Sequence, residues 1–449
     1  MSNKLSTIAS SLENFVKGYV SLPFFALFIG IFLLSPVNSS AQSEEELQDK
    51  VQKLQQKLNE TKAELKKAKE KNNAKETKLE EVQAKLADLE GMTDGISIGP
   101  LQIGGAMRVN YTIGDYTNDD GPSRGGDGGN FTLDTFRLNL DFSHENWVGK
   151  AEYRWYNSYN FLHTGWFGYN FEDASQVQVG VNRVPFGPGP YGVSKSWMFD
   201  QHYYVGLADD MDLGVKYIKP IDNLTLDLGF YVSDEGQWRG DSKDSARYSY
   251  DVVNASGNGY EERNQVNMRA IYSFSDWTIP TDLGVSLQYG LLDSKGPQSD
   301  GDHYAASLHA VNSWNNWSLA SQLTYYDYDV EGKSVTFGAY DYTTPVAAEA
   351  WIPAASLSYY YEATQIAWLD SVTPYLEYST IVKDESDFND SEMLVLGAAF
   401  ARNGWYVYTD LAYSNGNDFV GNQSGWQRFG ANPDDEWETR FNINFGYYF

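Results

Sequence analysis

The chain has 449 residues, 61 acidic against 33 basic side chains, and no cysteine. Its mean hydropathy of -0.49 is too low for a helical membrane protein, yet its aromatic content of 15% is unusually high for a soluble one. The lack of cysteine excludes a disulfide framework and a cysteine-based metal site.

The first 41 residues have the features of a secretory signal peptide. An apolar run from Pro23 to Leu34 follows Lys4 and Lys17, and small residues ending at Ala41 follow it. We expect cleavage after Ala41. A retained inner-membrane anchor is the alternative, although the run is short for a bilayer span.

Residues 42–91 are predicted to form an α-helical coiled coil. From Leu47 to Leu89, apolar positions recur at alternating spacings of four and three residues. The alternative is a single solvated helix. The apolar seam does not determine how many helices the coiled coil contains. Gly91 ends the pattern, and residues 92–100 act as a linker. The predicted core positions are Val51, Leu54, Leu58, Leu65, Asn72, Leu79, Val82 and Leu86.

From Leu101 to Phe449 the pattern changes to alternation with period two. The last nine residues, Phe441–Phe449, place aromatic or aliphatic side chains at odd positions and mostly polar ones at even positions. Sixteen segments follow this pattern, with an uncertainty of about two. An apolar face toward lipid and a polar face toward water predict an all-β transmembrane barrel of about 16 antiparallel strands. A soluble β-sandwich is the alternative.

The connections between these segments alternate between short and long. Glu145-Asn146 and 401–404 are short, whereas 114–130 and 233–264 are long and polar. This asymmetry is typical of short periplasmic turns and long outer loops, with both termini on the periplasmic side. About sixteen strands leave an aqueous lumen, so we expect a channel.

The phase of each strand predicts which charged side chains line the pore. The first three strands and the last are neighbours in a closed barrel, so their arginines would form one basic wall; alternatively, these arginines only pair with Asp141 and Glu152. From Ser97 onward there are 47 acidic and 20 basic residues, so net acidity predicts weak cation preference. The predicted pore-lining basic residues are Arg108, Arg137, Arg154, Arg440, Lys216 and Arg269, and the acidic ones are Asp141, Glu152, Asp227 and Glu377.

The third long connection, residues 184–211, is rich in proline, glycine and aromatic residues. We expect it to fold into the barrel and constrict the pore. The charged residues predicted at this constriction are Arg183, Lys195, Asp200, Asp209, Asp210 and Asp212.

The segment Gly180–Gly187 (GVNRVPFG), with sixteen strands and a third-loop constriction, resembles Gram-negative outer-membrane porins. The Pro-Phe-Gly start of the third loop is similar to that of the phosphate-selective porin O and P family. This resemblance implies a homotrimer in the bacterial outer membrane, in contact with lipid. Because both termini of the barrel are expected on the periplasmic side, we expect the coiled coil in the periplasm. The terminal Phe449 resembles the signal read by the barrel-assembly machinery. The family's anion selectivity uses lumenal arginines and lysines, whereas aspartates dominate this constriction.

These observations predict a porin for passive diffusion of ions and small hydrophilic solutes. One alternative is a porin selective for phosphate or another anion. Another is an envelope tether or adhesin, in which the coiled coil contacts peptidoglycan and the barrel is only an anchor. We expect no enzyme, cofactor, resident metal or nucleic-acid partner, because catalytic motifs are absent and the five histidines are scattered. Acidic outer loops offer ligands for divalent cations.

Overall fold

The computed structural model describes residues 96–116, 129–156, 159–235, 247–254, 259–340, 342–421 and 435–449. The predicted signal peptide, the predicted coiled coil and the first part of the predicted linker, residues 92–95, lie outside these residues. The last part of the linker contains a short strand, β1 (Ile96–Ile98), which pairs with the strand that follows it. No helical segment in the described ranges is long and apolar enough to cross a membrane.

Sixteen strands form a closed antiparallel barrel, which confirms the predicted fold class. They are β2 (Leu101–Gly114), β3 (Asn130–His144), β4 (Trp147–Trp155), β5 (Asn160–Asn170), β6 (Gln176–Arg183), β7 (Met211–Ile221), β8 (Leu224–Asp234), β10 (Tyr260–Phe274), β11 (Thr281–Ser294), β12 (Gly301–Trp314), β13 (Trp317–Asp329), β16 (Glu349–Tyr359), β18 (Ser371–Lys383), β19 (Ser391–Arg402), β20 (Trp405–Ser414) and β21 (Glu438–Tyr448). A two-residue strand, β17 (Tyr361–Glu362), lies in the connection between β16 and β18 and pairs with the start of β18.

Pairing between the first and last barrel strands closes the ring. The register of β2 and β21 runs from Ala106 opposite Tyr448 to Gly114 opposite Arg440. Phe449 extends this pairing, because its N–H donates to the Gly105 carbonyl at 3.0 Å and its carbonyl accepts from the Gly105 N–H at 2.7 Å. Every barrel strand therefore has a neighbour on both sides, and no sheet edge is left open.

The outward face of β19 shows how the alternation matches a membrane. Its outward positions run from Glu392 through Leu394, Leu396 and Phe400 to Arg402, so charged residues lie only at the two ends. Ten residues of strand span ~33 Å, and a tilt of ~40° reduces this to the ~25 Å height of a typical apolar band. Leu396, at the centre, is 58% exposed on the outside of the barrel.

Three further strands form a second sheet, which we call the inner sheet. It consists of β9 (Arg247–Val252), β14 (Ser334–Tyr340) and β15 (Tyr342–Ala347), in the order β15-β14-β9. All six residues of β9 are buried. β9 belongs to the connection between β8 and β10, whereas β14 and β15 form a hairpin in the connection between β13 and β16. Both connections lie at the end of the barrel that carries the long links, which we call the long-connection end.

The inner sheet packs against apolar side chains that point into the barrel. On the wall these include Tyr326, Tyr328, Ile352, Ile381 and Met393, near the long-connection ends of their strands. The inner sheet and two other connections supply the remaining members, among them Met198, Tyr203, Leu207, Tyr248, Tyr250, Val335, Phe337, Val346 and Phe419. We call this set the lumenal apolar cluster. It fills much of the lumen at the long-connection end with side chains rather than water.

Candidate functional site in the barrel lumen

Residues 184–210, the lumenal segment, cross the interior of the barrel. The Gly187 N–H donates to Ser286 Oγ on β11 at 3.0 Å, and the Gln201 N–H donates to Ser379 Oγ on β18 at 3.1 Å. His202 Nε2 lies 2.8 Å from Thr324 Oγ1 on β13. Because these three partners lie on separate parts of the wall, the segment narrows the lumen.

A buried carboxylate organises the turn of the lumenal segment. Asp200 Oδ2 accepts a hydrogen bond from the Val193 N–H at 2.7 Å, and Asp200 Oδ1 accepts from the His202 N–H at 2.9 Å. Gly192 has φ +62°, and a Cβ there would lie 2.3 Å from Asp200 Oδ2. A glycine is therefore required for the close approach of this carboxylate to the backbone.

Glu377 on β18 fixes the segment to the wall. Its carboxylate accepts hydrogen bonds from Ser194 Oγ at 2.7 Å, from Ser356 Oγ at 3.0 Å and from the Lys195 backbone N–H. Glu377 is buried, whereas the Lys195 side chain is exposed. The residue that phase analysis placed among the pore acids thus lies on the lumen side and holds the constriction in place.

Asp209 joins the lumenal segment to both the wall and the inner sheet. Arg183 contacts Asp209 Oδ1 through Nε at 2.8 Å and through Nη2 at 2.7 Å, and Tyr248 Oη donates to Asp209 Oδ2 at 2.6 Å. Burial disfavours the charged form of Asp209, but Arg183 and His163 outweigh it, so the pKa of this carboxyl lies well below its usual range.

Three of the arginines that were predicted to form a basic wall contact carboxylates. Arg154 Nε donates to Glu152 Oε1 at 2.5 Å, and Arg137 Nη1 lies 3.7 Å from the same oxygen. Arg108 Nε lies 2.9 Å from Asp134 Oδ2. These arginines face acids on the same wall, so much of their charge is neutralised locally.

Another predicted lumenal arginine, Arg440, is buried and binds neighbouring groups inside the barrel, so it does not present a basic surface to the pore. Its Nη1 donates to the Phe419 carbonyl at 2.7 Å, and its Nη2 donates to Asn442 Oδ1 at 2.9 Å. The guanidinium lies over the Trp197 ring, 4.9 Å from the centroid. The acid Asp141 lies on β3 opposite Lys150 on β4.

A cavity of about 310 Å³ lies between the lumenal segment and the wall. Lys216 Nζ donates to the Arg183 carbonyl at 2.7 Å, and Arg269 Nη2 lies 2.6 Å from Asp227 Oδ2. The lining contains three cationic residues and one acid. The full lining is Arg183, Val184, Pro185, Phe186, Pro188, Gly189, Pro190, Asp209, Lys216, Arg269 and Ile271.

A buried group of acids lies where the lumenal segment, the wall and the inner sheet meet. Carboxylate oxygens of Asp210, Asp212 and Asp251 all lie within 4.8 Å of one another. Burial, and after it the charges of Glu262 and Glu235, raises the pKa of Asp210 well above its usual range. Asp212, predicted at the constriction, belongs to β7 on the wall.

Comparison with solved structures identifies related barrels at low sequence identity. The outer membrane channel DcaP of Acinetobacter baumannii is 11% identical, with a TM-score of 0.52; the match covers 80% of this chain and 100% of DcaP. The barrel has the fold of an outer-membrane channel. The anion-selective porin from Comamonas acidovorans matches at 13% identity over 78% of this chain and 99% of that one, with a TM-score of 0.48.

A third similar structure is OmpT, an outer membrane protein of Vibrio cholerae in a trimer form. It is 13% identical, with a TM-score of 0.48 and coverage of 78% of this chain and 99% of OmpT. No protein-family model matches the chain, and no curated protein matches it. At these identities the likeness concerns the fold alone.

Sequence reasoning missed several residues that shape the lumen. Asp134, the partner of Arg108, lies at a register shift where β3 has one residue more than β2, so simple alternation does not place it inside. Arg247 and Asp251 lie in a connection that was predicted to be a polar loop. A signal was present, because Arg247–Val252 (RYSYDV) alternates aromatic and polar residues.

Proposed function

We propose that the protein is an outer-membrane channel for passive diffusion of ions and small hydrophilic solutes. The observation that carries this proposal is the closed sixteen-stranded barrel, apolar outside and lined by charged and polar side chains inside, with residues 184–210 crossing its lumen. Transport through such a lumen needs no catalysis, only a route through polar groups. The inner sheet makes this route narrow.

Conductance across a planar lipid bilayer tests the proposal. The purified full-length protein is expected to insert and give discrete, small single-channel steps in KCl. A heat-denatured sample is the control and should give none. Folded protein that inserts into the bilayer yet carries no current with either small ions or small sugars would contradict a channel function.

Two charge distributions bear on selectivity and favour opposite ions. The excess of acidic residues from Ser97 onward supports weak cation preference for the whole channel. The cavity behind the lumenal segment instead carries Arg183, Lys216 and Arg269 against Asp209. This lining supports a second candidate, a channel that retains phosphate or another small anion, in line with the resemblance to the phosphate-selective porins.

Removal of two cavity cations is expected to shift selectivity toward cations. The double variant K216Q/R269Q loses two positive charges where the lumen is narrow, and screening by salt is weaker there than at the mouth. Reversal potentials in a KCl gradient measure the shift. K333Q is the matched control, because Lys333 is an exposed lysine that pairs with Glu385 and Asp387 outside the cavity. Equal reversal potentials for the double variant and wild type would refute a selective role for the cavity.

We also propose the arrangement of the remaining parts. Residues 1–41 would be removed on export, residues 42–91 would form a coiled coil in the periplasm, and the barrel would assemble as a homotrimer. The seam from Val51 to Leu86 supports self-association, and a helix of about 45 residues would extend ~65 Å, far enough to reach toward peptidoglycan. Phe449, paired with Gly105 at the barrel seam, supports recognition by the assembly machinery.

A further inference from the structure

The acid group at the long-connection end has more negative charge than the described residues around it balance. Six carboxylates contribute to it: Asp210, Asp212, Asp234, Glu235, Asp251 and Glu262. Among the described residues, the cation that contacts this group is Arg247, which lies 2.6 Å from Asp234, 3.4 Å from Glu235 and 3.3 Å from Asp251. Buried like charges without a counter-charge are strongly unfavourable, so the group favours either proton uptake, as the raised pKa of Asp210 indicates, or a bound cation.

Three members of the group already have hydrogen-bond donors. Glu235 accepts from the Ser249 N–H at 2.9 Å and from the Tyr248 N–H at 3.2 Å. Glu262 accepts from the Val252 N–H at 3.3 Å, and Asp234 has its close contact with Arg247. These three carboxylates are therefore accounted for by the protein itself.

The remaining aspartates have oxygens that the described part of the protein leaves unsatisfied. Asp210 Oδ1 and Asp212 Oδ1 are fully buried and have no hydrogen-bond donor among the described residues. The other oxygen of Asp212 accepts from Gln265 Nε2 at 3.1 Å, which fixes the orientation of that carboxylate. Asp210, Asp212 and Asp251 are at most 5% exposed, so bulk water does not satisfy these oxygens.

The spacing of these oxygens fits a shared ion. Two oxygens bound to one Ca²⁺ at ~2.3–2.6 Å lie at most ~5 Å apart, and the three aspartates offer oxygens within 4.8 Å of one another. A set made only of carboxylate oxygens suits hard divalent cations and not Zn²⁺ or Cu²⁺, which prefer nitrogen or sulfur. Ca²⁺ tolerates irregular ligand geometry better than Mg²⁺ does.

We propose that Asp210, Asp212 and Asp251 bind one divalent cation, with Ca²⁺ the favoured ion. Asp210 ends the lumenal segment, Asp212 is the second residue of wall strand β7 and Asp251 lies on β9 of the inner sheet. The ion therefore joins the junction between the lumenal segment and β7 to strand β9, and it holds the inner sheet inside the barrel. This site is separate from the cationic cavity and goes beyond the proposed channel function.

Binding of Ca²⁺ to the full-length protein in detergent tests the site directly. We expect one saturable Ca²⁺ per chain that excess Na⁺ does not displace, and weaker competition by Mg²⁺. D251N and D210N should each weaken Ca²⁺ binding by about tenfold or more. D387N is the matched control, because Asp387 is an exposed acid at the same end of the barrel and should leave binding unchanged. Wild-type protein without saturable binding, or D251N with wild-type affinity, would overturn the proposal.

Thermal unfolding provides a second test. Its expected result differs from the result expected if Asp251 had a purely structural role. With EGTA present, D251N should unfold at a higher temperature than wild type, because it reduces the excess of buried negative charge over Arg247, the cation that contacts the group in the described part of the chain. With saturating Ca²⁺ the order should reverse, because only wild type gains the energy of the bound ion. If D251N does not fold, wild-type unfolding with and without Ca²⁺ still decides: no stabilisation by Ca²⁺ would rule out the site.

Discussion

Deletion of the hairpin formed by β14 and β15 is expected to raise single-channel conductance several-fold. Val335, Phe337 and Val346 of this hairpin are fully or almost fully buried in the lumenal apolar cluster, so they occupy space that ions would otherwise cross. The Ala348 N–H donates to the Lys333 carbonyl at 2.9 Å, so the ends of the hairpin are already adjacent. Replacement of residues 334–347 by two glycines should therefore leave the barrel strands undisturbed. Planar-bilayer recordings measure the effect.

A matched deletion shows whether the effect is specific to the hairpin or follows from removal of any loop at the long-connection end. Residues 384–389 lie in the connection from β18 to β19 at the same end, and each of them is exposed or half-buried. Their replacement by a short glycine-serine linker should leave conductance close to that of wild type. If the hairpin deletion folds into a heat-resistant barrel and conducts no better than this control, the inner sheet does not limit ion flow.

Substitution of Leu396 by arginine is expected to lower the free energy of unfolding in a bilayer by about 2–4 kcal/mol. Leu396 is exposed on the outer face at the middle of β19, where the side chain meets the centre of the hydrocarbon layer. A guanidinium at this depth loses its hydration and finds no counter-charge. Urea unfolding in phospholipid vesicles, followed by tryptophan fluorescence, measures the change.

E392R is the control for this prediction, because it places the same side chain on the same face of the same strand. Glu392 lies at one end of β19, where the wild-type protein already has a charged side chain. Its carboxylate accepts a hydrogen bond from Tyr378 Oη. Arginine there should cost less than about 1 kcal/mol. Equal destabilisation by both variants would mean that the outer face of β19 does not contact lipid.

The barrel was predictable because lipid acts on every second residue of each strand. A lipid-facing position must be apolar and a water-facing position is free to be polar, so the period appears directly in segments such as Phe441–Phe449. The predicted strand bounds were less accurate where a strand extends beyond the part that contacts lipid. β16 begins at Glu349 rather than at Ala355, because Ala350 and Ile352 face the lumenal apolar cluster and do not alternate with polar residues.

The lumen was less predictable because its contacts depend on which connections enter it. The alternation along each strand placed Glu377 and Asp227 on the inner face. It did not indicate that Glu377 binds the backbone of Lys195 or that Asp227 pairs with Arg269. The inner-sheet strand β9 is only six residues long and lies inside a long polar connection, so its alternation of polar and aromatic residues did not distinguish it from a loop. Asp251 was missed for this reason.

The origins of the lumenal apolar cluster have a consequence for assembly. Tyr326, Ile352 and Met393 come from three wall strands, whereas Tyr250 and Phe337 come from two separate connections. These side chains meet only after the wall strands that carry them have paired, so the interior is filled after that part of the wall has assembled. A newly inserted molecule should therefore pass through a hollow, leaky stage, visible as brief large currents that subside as each molecule matures.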